Sequence, residues 1–359
     1  MDDPQRYWSP TARRLVPYVP GEQPKTGRPV KLNTNENPYP PSPRVLEAIR
    51  SAEEGLRLYP DPESTILREA AGALYGLPPD RVFPGNGSDE VLAHAFLAFF
   101  SRERPVFFPD VTYSFYPVYA ALYDLPSRTV PLGEDFRLRL EDYPLPNGGV
   151  VIANPNAPTG IALPAKEIEA FLKKNTDSLL LVDEAYVDFG AESVVPLVSR
   201  YPNLLVVQTL SKSRALAGLR VGLAFGNPSL VAALDRVKNS FNSYPLDRLA
   251  VAGAVAAIED REYFQTIRDR IVGSRETLLR GLTTLGFEVL PSSANFLFAR
   301  LPGRDAREIA ALLRSRQILV RHFDAPRTRD FLRITIGTDE ECTALLTALA
   351  ELPDLPPGS

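Results

Sequence analysis

Three short apolar runs, evenly spaced, constrain this chain more than any other feature. Gly149-Val150-Val151-Ile152-Ala153 ends at Asn154, and Ser178-Leu179-Leu180-Leu181-Val182 ends at Asp183. Leu204-Leu205-Val206-Val207 runs on into Thr209-Leu210-Ser211-Lys212. Asn154, Asp183 and Lys212 therefore follow one another at equal steps of 29 residues. A strand buried on both faces reads as a continuous apolar run, and a parallel crossover takes a dozen residues or more. The spacing predicts successive strand-and-crossover units of an α/β fold with a mainly parallel sheet. Ligands of such sheets lie outside the carboxyl ends of the strands, so the three polar side chains are expected to share one crevice.

These residue types suit an aldehyde cofactor. A lysine that forms an imine must shed its proton beside an electrophile. Ser211 offers a hydroxyl, and Arg220 a planar cation fitted to grip a phosphate through paired hydrogen bonds. On this stretch alone Lys212 reads equally well as a solvated lysine after a strand. Asp183 shifts the balance, because a carboxylate on a pyridine nitrogen keeps it protonated and makes the ring an electron sink. Asn154 and Tyr186 can hydrogen-bond a phenolic oxygen on that ring. Asp183 alone could be a helix cap. The combination favours pyridoxal phosphate (PLP), with Lys212 as the Schiff-base lysine.

The motifs also resemble a known family. Residues 209–218 are similar to the lysine-attachment signature of the class II subgroup of PLP-dependent aminotransferases, of fold type I. Further matches are Leu32-Asn33-Thr34-Asn35-Glu36-Asn37-Pro38, Tyr59-Pro60-Asp61, Asn86-Gly87-Ser88-Asp89-Glu90, residues 154–160 and Arg333-Ile334-Thr335-Ile336-Gly337. With these the chain resembles the histidinol-phosphate aminotransferases from about residue 15 to residue 352. The resemblance implies a large PLP-binding domain over residues 38–243. An N-terminal arm (1–37) and residues 244–359 would form a smaller α+β domain. It implies that Ser88 and Asp89 hold the cofactor phosphate through backbone N–H groups, beside Ser211 and Arg220, and that Tyr113 stacks on the ring. Tyr59 would reach the phosphate of the neighbouring subunit, which makes the enzyme a homodimer. Tyr18, Asn35, Arg321 and Arg333 would face substrate, with Arg333 on the α-carboxylate. Lys212, Asp183 and Tyr186 would carry the chemistry. The implied reaction interconverts histidinol phosphate plus 2-oxoglutarate and imidazole-acetol phosphate plus glutamate, in histidine biosynthesis. An aromatic amino acid aminotransferase and a PLP-dependent decarboxylase of a phosphorylated amino acid are the alternatives.

Read without the family, several of these residues stay open. Residues 84–90 form a glycine-containing turn at a helix start, where free N–H groups suit a phosphate. Ser88 could equally be a plain N-cap there. Residues 33–38 are polar and turn-forming, either facing a ligand or making Asx turns. Tyr113 lies in an aromatic stretch where core packing explains it as well. Tyr59 could be a turn tyrosine packed on its own domain. Tyr18 lies in an irregular proline-rich arm. Arg333 sits on an alternating strand and by itself reads more readily as a solvent-facing charge.

Helices are expected over 42–55, around the stripe Ile66, Leu67, Ala70, Ala71 and Leu74, and over 249–285, 306–316 and 339–352. Strands are expected over 106–108, 221–225, 287–290, 296–301, 318–320 and 331–336, and the tail from 353 is expected to fray. His94 falls in an apolar helical run and reads as structural. The net charge of −4 offers no basic excess for nucleic acid. The single cysteine, Cys342, excludes an intrachain disulfide, and two histidines without a cluster argue against a metal site. No basic-then-apolar leader or spanning run is present, so a cytoplasmic protein is expected. A PLP-sensing regulator would need an N-terminal DNA-binding module, and the first 35 residues are too few and too proline-rich for one.

Overall fold

The three apolar runs become adjacent parallel strands in the middle of a seven-stranded sheet. The computed structural model describes residues 5–25 and 27–351; the expected fraying tail lies outside them. In chain order the strands are β1 (Val30–Leu32), β2 (Val82–Asn86), β3 (Val106–Pro109), β4 (Ser127–Val130), β5 (Val150–Ala153) and β6 (Leu180–Asp183). They continue with β7 (Leu204–Thr209), β8 (Val221–Phe225), β9 (Glu288–Val289), β10 (Phe296–Arg300), β11 (Ile318–His322) and β12 (Leu332–Thr335). The helices are α1 (Pro10–Arg14), α2 (Pro43–Ala52), α3 (Thr65–Tyr75), α4 (Gly87–Phe99), α5 (Tyr116–Leu122) and α6 (Ala165–Leu172). After them come α7 (Pro228–Phe241), α8 (Arg248–Glu259), α9 (Arg261–Thr284), α10 (Ala306–Ser315) and α11 (Asp339–Ala350).

The large sheet runs β2-β8-β7-β6-β5-β3-β4. All neighbours are parallel except β8, which is antiparallel to both β2 and β7. Strands β5 and β6 are buried along their whole length, which is why they read as unbroken apolar runs rather than as alternation. Val150, Ile152, Leu180, Val182, Leu204 and Val206 face one core cluster, and Val151, Leu181, Leu205 and Val207 the other. Each fully buried side chain of this kind stabilises the fold by roughly 1.5–3 kcal/mol relative to exposure. Winding reverses between β3 and β5, since β3 is followed outward by β4 while the chain returns to β5 on its other side. This puts a crevice at the carboxyl ends of β5, β6 and β7.

The second sheet runs β1-β11-β12-β10-β9 and is antiparallel apart from the β1–β11 pair. Helices α9, α10 and α11 supply its core, with Ile267, Ile271, Leu278, Ile309, Leu313 and Leu345. The helical region expected over 249–285 consists of two helices. Asp260 leaves helical geometry (ψ 71°), and its side chain accepts from the Tyr263 N–H to start α9. Helix α8 lies before that break, and its Ala250, Val251, Ala254 and Ile258 belong to the core of the large sheet. Ile66, expected on the buried stripe of α3, is exposed, whereas Leu67 and Ala71 are buried. His94 is buried within α4 beside Glu90. No helix among the described residues is long and apolar enough to cross a membrane.

Candidate active site

A cleft of about 690 Å³ opens at the carboxyl ends of the central strands and is roofed by the second sheet and the N-terminal arm. Lys212, Asp183, Tyr186, Ser88, Asp89, Tyr113, Ser211 and Arg220 all line it, as do Tyr18, Asn35, Arg321 and Arg333. Parallel register explains the convergence. Asp183 closes β6 level with Ala153 of β5 and Val207 of β7, so the residues that follow each strand emerge side by side.

One end of the cleft is built for an anion. The first turn of α4 has no side-chain cap, so Ser88 lies inside the helix rather than capping it. Uncapped N–H groups and the helix dipole favour a phosphate there. Around this turn stand Ser211, Thr209 and Arg220. The Thr209 hydroxyl donates to Ser211 Oγ at 2.9 Å, and a guanidinium nitrogen of Arg220 meets Asp89 Oδ2 at 3.1 Å. Arg220 itself adopts a left-handed backbone (φ 55°). Gly87 is required for this approach. It has φ +79°, and a Cβ there would lie 2.6 Å from the Arg220 guanidinium.

The floor holds Asp183. Its carboxylate accepts from the Tyr116 hydroxyl at 3.1 Å and from the Ala185 N–H at 3.1 Å. Burial pushes its pKa up to about 6, against the lowering effect of those two hydrogen bonds and of nearby Lys212. A buried carboxylate this reluctant to ionise without a partner suits a cationic ring nitrogen. Tyr113 donates to Asp89 Oδ1 at 2.8 Å and lies 6.2 Å from the Tyr18 ring, which stacks on Phe115. Lys212 Nζ lies over the Tyr186 ring at 5.9 Å and donates to the Thr34 carbonyl at 3.2 Å. The Tyr186 hydroxyl accepts from the Asn35 amide at 2.9 Å. An anion cradle, an amine and a buried carboxylate thus face one space, in the combination PLP requires.

The roof carries two arginines directly opposite each other on β11 and β12, Arg321 and Arg333. Like charges so placed repel, and the arrangement becomes favourable once an anion lies between them. Arg333 donates to the Asn33 carbonyl at 3.0 Å, while its Nε is buried without a partner. Burial pulls its pKa below the usual arginine value, and the Arg321 charge adds to the effect. Arg321 donates to the carbonyls of Val19 and Pro20 in the arm, at 3.1 and 3.4 Å. Arg333 is therefore not the solvent-facing charge its strand pattern suggests by itself.

Two of the named residues are outside this chain's own cleft lining, and of these Tyr59 is expected at the neighbouring subunit's site. Asn154 is 1% exposed and outside the lining. Its amide spans a loop, accepting from the Leu163 N–H at 2.8 Å and donating to the Leu163 carbonyl at 3.1 Å. Burial behind the cleft wall takes precedence over strand-end position here. Tyr59 is 80% exposed, away from the cleft, and stacks on Tyr244 at 4.8 Å. Conversely, the sequence reading did not find Tyr116, the donor to Asp183, nor Thr34 and Asn37, which hold Lys212. Tyr116 sits in so aromatic a stretch that nothing local distinguishes it. Among the described residues, no group of three or more His, Cys, Asp or Glu side chains could hold a metal.

The model of the family "Aminotransferase class I and II" matches residues 28–349. The chain is 62% identical over 347 residues to histidinol-phosphate aminotransferase 1 of Methylococcus capsulatus, covering 96% of this chain and 97% of that one. It is also 62% identical to histidinol-phosphate aminotransferase 1 of Bradyrhizobium diazoefficiens, covering 97% and 99% respectively. Among solved structures, histidinol-phosphate aminotransferase from Sinorhizobium meliloti in complex with pyridoxal-5'-phosphate superposes with a TM-score of 0.89 at 28% identity, over 96% of this chain and 97% of that one.

Proposed function

The chain belongs to the class I and II aminotransferase family, and from that premise we propose that it is the PLP-dependent transaminase that interconverts histidinol phosphate plus 2-oxoglutarate and imidazole-acetol phosphate plus glutamate in histidine biosynthesis. The observation that carries the substrate assignment is the facing pair Arg321 and Arg333, two cations over a single cleft. Relatives at 62% identity named for the same activity support it.

When bound, PLP supplies an aldehyde that takes up an amine and a ring that accepts the electron pair left on the substrate carbon. The chain supplies the rest. The α4 amides, Ser211 and Arg220 would hold the phosphate, and Asp183 would keep the ring nitrogen protonated. Tyr186 and Tyr113, both in the cleft lining, would orient the ring. With the cofactor bound, Lys212 would be the amine that holds its aldehyde and, once free, the general base and acid that moves the proton. Arg333 grips the carboxylate of glutamate. Arg321 provides the second positive charge for the phosphate or the side-chain carboxylate of the alternating substrates. Aromatic walls from Tyr18, Tyr113 and Phe323 exclude water around the reacting atoms.

We read the enzyme as a homodimer in which Tyr59 crosses to the neighbouring phosphate site. The exposure of Leu56, Leu58, Tyr59 and Phe241 supports an interface there. Phosphorylated substrates cross bilayers poorly, which supports the cytoplasm as the place of action.

A panel of amino donors with 2-oxoglutarate tests the substrate assignment. Histidinol phosphate is expected to give the highest kcat/KM, above phenylalanine and tyrosine. A higher value for an aromatic amino acid would assign the enzyme to the aromatic aminotransferases, and release of CO₂ to the decarboxylases. R321A is expected to lower kcat/KM for histidinol phosphate about a hundredfold, with a much smaller loss on phenylalanine.

A further inference from the structure

We propose that Asn37 is a positioning residue for Lys212, and that the segment 34–37 holds this lysine at both ends, its backbone through the Asn37 amide and its amine through the Thr34 carbonyl. The inference rests on Lys212 being the proton-carrying amine of the reading above. Asn37 Nδ2 donates to the Lys212 carbonyl at 3.0 Å and to the Ser213 carbonyl at 3.3 Å. Its Oδ1 accepts from the Tyr39 N–H at 3.0 Å, which fixes the amide plane. On the far side of the turn the Ser213 hydroxyl donates to Asp188. Lys212 Nζ then reaches the Thr34 carbonyl at 3.2 Å.

The segment making this grip is itself over-determined. Thr34 Oγ1 donates to Glu36 Oε2 at 2.7 Å and accepts from Lys31 Nζ at 2.5 Å, while Lys31 and Glu36 form an ion pair. Asn35 takes a left-handed backbone, φ 56°. It is held there by Thr335, whose hydroxyl accepts from the Asn35 N–H and donates to its Oδ1, both at 3.0 Å. The Asn295 amide adds a bond to the Asn35 carbonyl at 3.0 Å. A left-handed non-glycine persists where its surroundings fix it, and it is found at sites where geometry serves function.

The consequence follows from the lysine side chain. Its flexible stem has many rotamers to lose, so a free amine is poorly placed for proton transfer between two fixed carbons. Fixing the Lys212 carbonyl restricts the arc through which the amine swings. A neutral carbonyl acceptor gives the released amine a defined resting place without binding it as tightly as a carboxylate would. Because β1 joins this segment to the second sheet, the hold on Lys212 couples the two halves of the cleft.

N37A and N37D test the assignment in the full-length enzyme. Both lose the donated hydrogen bonds, and N37D keeps the side-chain shape. The expected result is a kcat about tenfold lower with KM for glutamate within about twofold of wild type. PLP uptake by the apoprotein, followed by absorbance, should slow several-fold, and the pH midpoint of the bound-cofactor absorbance should move. Wild-type uptake, midpoint and kcat in N37A would overturn the proposal. So would losses that merely track a fall in Tm with kcat and KM changing together. If neither variant folds, N37S, a smaller change at the same position that withdraws the amide from the Lys212 and Ser213 carbonyls, decides: a moved midpoint supports the proposal and an unmoved one overturns it. The underlying reading is tested separately by K212A. Borohydride-fixed pigment in K212A would show that Lys212 is not the cofactor lysine, whatever Asn37 does.

Discussion

At the scale of single residues, the cleft is governed by what burial does to charge. Asp183 is 5% exposed, and its pKa rises from 3.8 to about 6. In the unfolded chain the carboxyl loses its proton near pH 4, whereas in the folded apoprotein it keeps it to about pH 6. Between these values the folded state binds the extra proton, so this group's contribution to stability is full below pH 4 and is lost as pH rises through 6. Glu184 behaves alike, since burial lifts its pKa from 4.5 to about 7. D183N keeps an oxygen acceptor for the Ala185 N–H, turns its NH2 toward the Tyr116 hydroxyl oxygen, and cannot ionise. Urea unfolding of apoprotein should show D183N gaining on wild type as pH rises from 4 to 7, by up to about 3 kcal/mol. A difference independent of pH would mean that Asp183 titrates normally. The same variant should bind PLP more weakly and transaminate at least a hundredfold more slowly, because the ring nitrogen loses its counter-charge.

At the scale of elements, the phosphate end depends on how closely β8 approaches the start of α4. A Cβ on Gly222 would lie 2.4 Å from both Gly87 C and Ser88 N, backbone atoms that cannot swing aside. A Cβ on Gly87 would meet only the end of Arg220, although its φ of +79° disfavours any other residue. The two glycines should therefore fail differently. G222A must push the strand and the helix apart and should lower the Tm of the apoprotein by several degrees, as a loss of about 1–3 kcal/mol would. G87A should leave the Tm closer to wild type yet raise the Kd for PLP about tenfold by displacing Arg220. Calorimetry of the apoprotein and absorbance titration with PLP separate the two.

At the scale of the whole molecule, Tyr59 sits on a loop that the chain anchors with care. Lys238 is 2% exposed and donates to the Pro62 carbonyl at 2.7 Å, and Arg68 pairs with Asp235 at 2.6 Å beneath it. Buried charges need partners of this kind, and here they fix a loop whose tyrosine points away from its own cleft. If Tyr59 serves the neighbouring subunit, Y59A chains mixed with K212A chains should form dimers with one intact site. A quarter to a half of wild-type activity should return, judged against the Y59A and K212A homodimers. No gain on mixing would place both residues in the same subunit's site. Sedimentation of the apoprotein should give a dimer in either case.

The sequence by itself determined the parallel centre of the fold and the line of residues at its strand ends. Both follow from local rules, because continuous apolar runs mark strands buried on two faces and equal spacing marks repeated crossovers. It also pointed to Lys212, Asp183 and Arg220 through their combination, since each alone has other uses at such a position, and the three line one cleft. What it could not carry was direction. Asn154 ends its strand as Asp183 does, yet its amide is consumed by Leu163 within the loop. Arg333 lies on a strand whose alternation says solvent, yet it faces Arg321 over the cleft. Thr34 and Asn37 reach Lys212 across some 175 residues of chain, and Tyr116 reaches Asp183 across 67. The first two contacts exist only once the segment after β1 has packed against the large sheet, and the third only once α5 has packed on β6, because hydrogen bonds between distant segments are set by tertiary placement and leave no periodicity in the sequence.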